Sequence, residues 1–161
     1  MFIELPNHWI VILNALGIPV VHLALAWLSL RLPASCFSPS SPLYRIREWE
    51  REGERYQTCF RVRSWKKHLP DGAGWLSGFT KRTLQSREKT YLHEFRLETC
   101  RGEWSHWLQM AVLFLFVAWT PFPASLIIIA YALLSNLPCL IAQRHLRGRL
   151  NRLLKNGPTR C

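Results

Sequence analysis

Apolar residues in this chain are bunched rather than alternating. One block covers 9–30, a second covers 107–142, and the charges collect between and after them. The first block is about 22 residues long, which at ~1.5 Å per residue crosses a hydrocarbon core of ~30 Å. Asn14 and His22 lie inside it, about 80° apart round a helix. Polar groups at that depth face protein rather than lipid. Residues 1–8 contain no Lys or Arg. The positive start of a signal peptide is therefore missing, and a retained anchor is expected.

The second block is about 36 residues long. One straight crossing needs about 20 and two need about 40. Thr120-Pro121-Phe122-Pro123 stands at its centre, where prolines interrupt a helix. Two short tilted helices or a re-entrant hairpin are expected. Between the blocks, 31–43 is a Pro/Ser linker. Residues 44–55 alternate charges and predict a solvated helix ending at Gly53. In 56–65, Phe60, Val62 and Ser64 alternate with Arg61, Arg63 and Trp65, which predicts a strand or an extended interfacial segment. Pro70-Asp71-Gly72 signals a turn. Residues 75–106 read as one or two amphipathic helices anchored by Leu84, Tyr91, Leu92, Phe95 and Leu97. The fold class is therefore mainly α, an integral membrane protein in a single membrane domain. It has one N-terminal transmembrane helix, a cytosolic or interfacial middle region at 44–106, a Pro-broken transmembrane or re-entrant hairpin at 107–142 and a basic tail at 143–161.

Composition sharpens this picture. Among 161 residues, 49% are hydrophobic, yet the net charge is +11. A soluble basic protein would dilute its apolar content, so the segregation makes the bilayer part of the solvent. Trp9, Trp27, Trp104, Trp107 and Trp119 flank or punctuate the apolar blocks, as interfacial aromatic belts do. Fourteen of the Lys and Arg residues fall in 45–101 and six in 144–160. The positive-inside rule puts both basic regions in the cytoplasm and the N-terminus outside the membrane. The five Cys, an odd number without a CxxC, build neither a disulfide framework nor a zinc site. Nucleic acid is not an expected partner, because nine acids interleave with the central cations and no recognition motif occurs. There is no Gly-rich phosphate loop and no nucleophile elbow.

Chemistry concentrates just before the second block, in His93, Glu94, Glu98, Arg101, Glu103 and His106. Glu94, Glu98 and Arg101 share one helix face, and Glu103 and His106 share the next. A carboxylate and an imidazole within reach of each other can act as an acid/base pair on an alcohol. The same spacing also suits a solvated helix with ion pairs. Glu103-x-x-His106 is half of a di-metal motif whose second copy is absent, so no metal is expected. After the block, Gln143, Arg144, Arg147 and Arg149 form either a polybasic collar against anionic lipid or a clamp for a phosphorylated acyl carrier. Trp65-Lys66-Lys67-His68 with Asp71 is a lipid-surface anchor or part of a site, and Asp71 also suffices simply to shape its turn.

Several blocks carry a resemblance: Arg47-x-Trp49-Glu50, Gly53-x-x-Tyr56-x-x-x-Phe60-x-Val62, and Trp65-Lys66-x-x-Leu69-Pro70-Asp71-Gly72. Gly78-Phe79-x-Lys81, Tyr91-Leu92 and Glu98-Thr99-x-Arg101-x-Glu103-x-x-His106-Trp107 follow, then Asn136-x-Pro138-Cys139 and Gln143-Arg144-x-x-Arg147-x-Arg149-Leu150. Over roughly 44–154 the chain resembles the glycosyl-4,4'-diaponeurosporenoate acyltransferase family, small bacterial membrane enzymes of carotenoid-ester biosynthesis. The resemblance implies transfer of a fatty acyl group to a sugar hydroxyl of a glycolipid or glycosylated carotenoid. The donor would be acyl-CoA or an acyl carrier protein, with no other cofactor. On this reading His106 is the general base, Glu103 or Glu98 orients it, and Arg101 sits on the oxyanion or the donor phosphate. Trp65, Lys66, Asp71, Asn136, Gln143, Arg144 and Arg147 would bind substrate, and the hairpin with helix 9–30 would form the acyl groove. Membrane lipids are further partners, and a homo-oligomer is one way of closing so short a groove. The competing reading is a non-enzymatic membrane anchor or assembly protein with a polybasic docking surface. A lipid hydrolase using water as acceptor would need the same residues.

Overall fold

The computed structural model describes residues 3–69 and 84–156, and among these all regular structure is helical. The described residues form five α-helices: α1 (Asn7–Arg31), α2 (Glu54–Phe60), α3 (Val62–Trp65), α4 (Lys89–Leu115) and α5 (Ala124–Lys155). Short 3-10 turns at Ala34–Cys36, Glu48–Gly53, Lys66–His68 and Phe116–Ala118 join them.

Two of these helices, α1 and α5, are long and apolar enough to cross a membrane. The first buries only Ile10 and Ser29, while Val11, Leu16 and Val20 are each at least 60% exposed. Exposed apolar side chains continue on α5 at Leu126, Ile127 and Leu134. A contiguous apolar exterior of this size has no place on a monomer in water.

Helices α4 and α5 form an antiparallel hairpin that turns at 119–123, where Phe122–Pro123 is cis. The proline-rich turn expected from the sequence is where it should be. The hairpin is longer than expected, however. It does not begin at 107 and end at 142, because α4 starts at Lys89 and α5 runs on to Lys155. The change from polar to apolar residues marks an environment, not a helix end. Extending an existing helix into charged, helix-favouring sequence is easier than nucleating a new one.

The first helix packs against α4 in the opposite sense, as residues 14, 22 and 32 meet 120, 109 and 101. Asn14 Nδ2 donates to Thr120 Oγ1 at 3.1 Å, and Trp119 Nε1 donates to Asn14 Oδ1 at 3.1 Å. His22 pairs with Gln109 Oε1 at 3.0 Å and with the Tyr131 hydroxyl at 3.1 Å. Both polar residues of the first block therefore face protein, as lipid burial requires. Among the described residues, the basic segments collect at the other end of the bundle, around Leu32, Arg101 and the last turns of α5.

The middle region departs from expectation in two places. Residues 44–55 are not a solvated helix, since Glu50 is completely buried. After it the chain turns through left-handed conformations at Arg51 (φ 47°), Glu52 (φ 51°) and Gly53 (φ 88°) before α2 begins. Residues 56–65 are two helical turns, not a strand, with a left-handed Arg61 between them. An isolated strand would leave a row of backbone groups unpaired. Here the Gln57 side chain accepts from Arg63 N at 2.9 Å and Trp65 Nε1 donates to Phe60 O at 2.7 Å. Of the anchors expected in 75–106, Leu92 and Phe95 form a core with Leu146 and Leu150, against which Leu84 and Tyr91 pack. The Pro70-Asp71-Gly72 turn lies outside the described residues.

The left-handed turn rests directly on α5. A Cβ on Gly148 would come within 2.3 Å of the Glu52 carbonyl, and one on Gly53 within 2.6 Å of the His145 carbonyl. His145 Nδ1 donates to the Gly53 carbonyl at 2.9 Å across the same contact. Gly148→Ala should therefore destabilise the purified protein in micelles by ~1–3 kcal/mol, the usual range for overpacking. A melt followed by tryptophan fluorescence should show the loss, and an unchanged midpoint would mean that the turn is not seated on α5.

Candidate active site

At the basic end, α5 carries Arg144 and Arg147 one turn apart, hence on one face. That face looks across to Glu103 on α4 and to the 43–56 segment. All five N–H groups of Arg144 are committed. Nε and Nη2 donate to Glu50 at 2.7 and 2.9 Å, Nη1 to Glu103 at 2.7 Å, and the remaining bonds reach the Leu43 and Arg45 carbonyls at 3.3 and 3.2 Å. The other Glu103 oxygen accepts from Arg147, which is itself fully buried, lies 5.8 Å from the Tyr44 ring centroid and donates to Cys100 Sγ at 3.5 Å. Glu50 also accepts from the Tyr56 hydroxyl and the Arg47 amide, each at 2.6 Å. Two carboxylates and two guanidinium groups thus form one neutral buried lock.

Burial pushes the Glu50 carboxyl up, but its bonds from Arg144, the Arg47 amide and Tyr56 outweigh that and hold it below the usual carboxylate range. Burial, aided by the hydrogen bond to Glu50, pushes the Tyr56 phenol up to about 12.

Closer to the apolar belt, His106 Nδ1 lies 3.1 Å from Asn136 Oδ1. Asn136 is fully buried, and its Nδ2 donates to the Ala132 carbonyl at 2.9 Å and to Ser135 Oγ at 3.1 Å. Those donor contacts fix which end of the amide faces the imidazole.

A profile described as glycosyl-4,4'-diaponeurosporenoate acyltransferase matches residues 39–156. The chain is also 30% identical over 131 residues to the Staphylococcus haemolyticus protein of that name, covering 81% of this chain and 76% of that protein. To its Staphylococcus aureus counterpart (strain USA300) it is 29% identical over 137 residues, covering 84% and 82% respectively. This chain belongs to the glycosyl-4,4'-diaponeurosporenoate acyltransferase family. It is an acyltransferase. No solved structure matches it.

The matched region contains both the lock and the His106–Asn136 pair but excludes α1. Within this family member, the residues singled out from sequence take different places. Glu103 sits between Arg144 and Arg147, while Glu98 accepts from Arg101. Arg101 also donates to the Leu32 carbonyl at 3.2 Å, tying the end of α1 to α4. Arg144 and Arg147 point inward, so their donors join the protein to itself and do not form an open clamp or collar. Trp65 packs near Tyr56, Val62 and Ala142, and Lys66 opens the following 3-10 turn. Gln143 holds a buried Oε1 with no hydrogen-bond partner. Asp71 lies outside the described residues. Sequence reasoning gave no role to Glu50 or Tyr56, although both belong to the motifs that carry the family resemblance.

Truncating one side of a buried charge pair strands the other, at about 3–5 kcal/mol. Glu50→Gln should lower neutral-pH stability on that scale. The pH profile follows from the direction of the shift. A carboxyl lowered in the folded state contributes fully above its unfolded value and loses that contribution as pH falls through its lower folded value. Wild-type stability should thus decline below roughly pH 4–5, and Glu50→Gln should show a shallower acid slope. Melting curves across pH check both. An equal acid slope in the two proteins would remove Glu50 from the lock.

Proposed function

We propose that the chain transfers a fatty acyl group from an activated thioester donor to a sugar hydroxyl of a lipid-like glycoside, at the edge of a bacterial cytoplasmic membrane. The apolar exterior of α1 and α5 supports embedding. The basic segments, gathered at one end, face the cytosol by the positive-inside rule. The relatives' name supports a glycosylated carotenoid as acceptor.

The observation that carries the chemistry is the His106–Asn136 contact. With Nδ2 of Asn136 turned to Ala132 and Ser135, its Oδ1 accepts from His106 Nδ1–H, so the imidazole lone pair sits on Nε2. Nε2 takes the proton of the acceptor hydroxyl as its oxygen attacks the thioester carbonyl. The C–O bond forms, the C–S bond breaks, and the imidazolium returns the proton to the departing thiolate. Asn136 takes the orienting role that sequence reasoning gave to Glu103 or Glu98, because both Glu103 oxygens are engaged by arginine. Gln143 stands two turns from Asn136 on the same face of α5. Its unpartnered Oε1 suits an acceptor hydroxyl. The acyl chain lies along the apolar faces of α1 and the hairpin.

Mass spectrometry of lipid extracts from cells with and without the protein tests the reading. Acylated glycosides should appear only with the protein, and free fatty acid in their place would indicate water as acceptor. His106→Ala should reduce product ~10²-fold or more at an unchanged membrane protein level, the usual contribution of a general base. Asn136→Asp, which keeps an acceptor, should retain more turnover than Asn136→Ala. Full turnover in His106→Ala would remove the base from the mechanism.

A further inference from the structure

With Arg144 and Arg147 turned inward, the donor's charged end must be recognised elsewhere. A groove of about 750 Å³ opens at the basic end, between the linker, the start of α4 and the last turns of α5. Its walls include Arg45, His93, Arg96 and Lys155, with Phe37 and Leu97 among the apolar side chains, and no carboxylate lines it among the described residues. The Arg45 guanidinium makes no ion pair or hydrogen bond among the described residues, though its carbonyl is held by Arg144. Arg96 is braced by Asn151 Oδ1 at 3.3 Å and His93 Nε2 at 3.2 Å, yet its buried Nε has no acceptor. Lys155 reaches Glu52 outside the groove at 2.6 Å. A concave site with guanidinium donors and no acid selects an anion with several oxygens, and phosphate fits arginine forks best.

Position says which phosphate. Arg96 and His106 lie ten residues apart on one helix, hence ~15 Å along its axis. A lipid phosphate ester sits next to its own acyl chains. A nucleotide-type thioester donor carries its phosphates at one end of a long flexible arm and the reactive carbonyl at the other, which matches this separation. We propose that the groove binds the phosphate-bearing end of the activated acyl donor, whose arm then follows α4 past the lock to His106. This rests on the acyl-transfer reading above.

The test uses the full chain in nanodiscs of neutral phosphatidylcholine, titrated calorimetrically with coenzyme A. Wild type should bind saturably and more weakly as salt is raised. Arg45→Gln and Arg96→Gln should each weaken binding roughly ten-fold or more, as expected for losing a charge-assisted contact. Arg45 is exposed, so its variant keeps the test meaningful should Arg96→Gln fold poorly. Pantetheine, the arm without phosphates, should not compete. His106→Ala should bind coenzyme A like wild type, so loss of the proposed base and loss of the groove read out separately. Unchanged affinity in both arginine variants would overturn the proposal. So would failure to bind coenzyme A, including the case in which the same arginines instead retain anionic phosphatidylglycerol.

Discussion

Everything at the basic end depends on the saturation of Arg144. One guanidinium joins a carboxylate from the 48–53 turn, a carboxylate from α4 and the carbonyls of Leu43 and Arg45. Removing a guanidinium from water is expensive unless every donor is met and the charge is balanced. Here Glu50 and Glu103 supply the balance, and Arg147 supplies the second positive charge that lets Glu103 serve both. Such an arrangement contributes more to uniqueness than to raw stability. It allows one register of α4 against α5 and one path for the linker. Gly53 and Gly148 are part of the same constraint, because only hydrogen in place of a Cβ lets the left-handed turn come close enough for Glu50 to reach Arg144.

Away from the lock, the helices are joined by polar pairs inside an otherwise apolar bundle. Asn14 meets Thr120 and Trp119, His22 meets Gln109 and Tyr131, and His106 meets Asn136. Hydrocarbon solvates apolar side chains as well as protein does, so in a membrane hydrogen bonds and close packing would be what holds such helices together. Each pair therefore has an architectural reason to exist. The His106 pair stands apart by position. It lies between the charged lock and the apolar belt.

The features succeed one another along the axis of α4: the groove around Arg96 comes first, Glu103 and the lock next, then His106, and the apolar residues last. Arg144, with every donor satisfied, holds the fold, while Arg96, whose buried Nε has no acceptor, lines the groove.

Much of this was legible in the chain itself. Segregated apolar blocks, the Thr120-Pro-Phe-Pro123 break and the depth of Asn14 and His22 are properties of local composition, so a helical, membrane-suited fold with an inward-facing Asn and His could be read directly. The motifs around Glu98–Trp107 and Gln143–Leu150 carried the family. Pairing was not legible, because Arg144 meets partners from 41 to 101 positions away, for which local spacing holds no information. Glu50 looked like one charge in a solvated run, and only the approach of α5 buried it against Arg144. Arg147 looked like a surface cation, and only Glu103 on the neighbouring helix made it the most buried large side chain at the site. For the same reason His106 meets Asn136 on the next helix, although spacing along its own helix points to Glu103. Periodicity determines what a segment can bury. Which charge meets which is decided when the helices close on one another, because a buried ion must then find its counter-ion or leave the core.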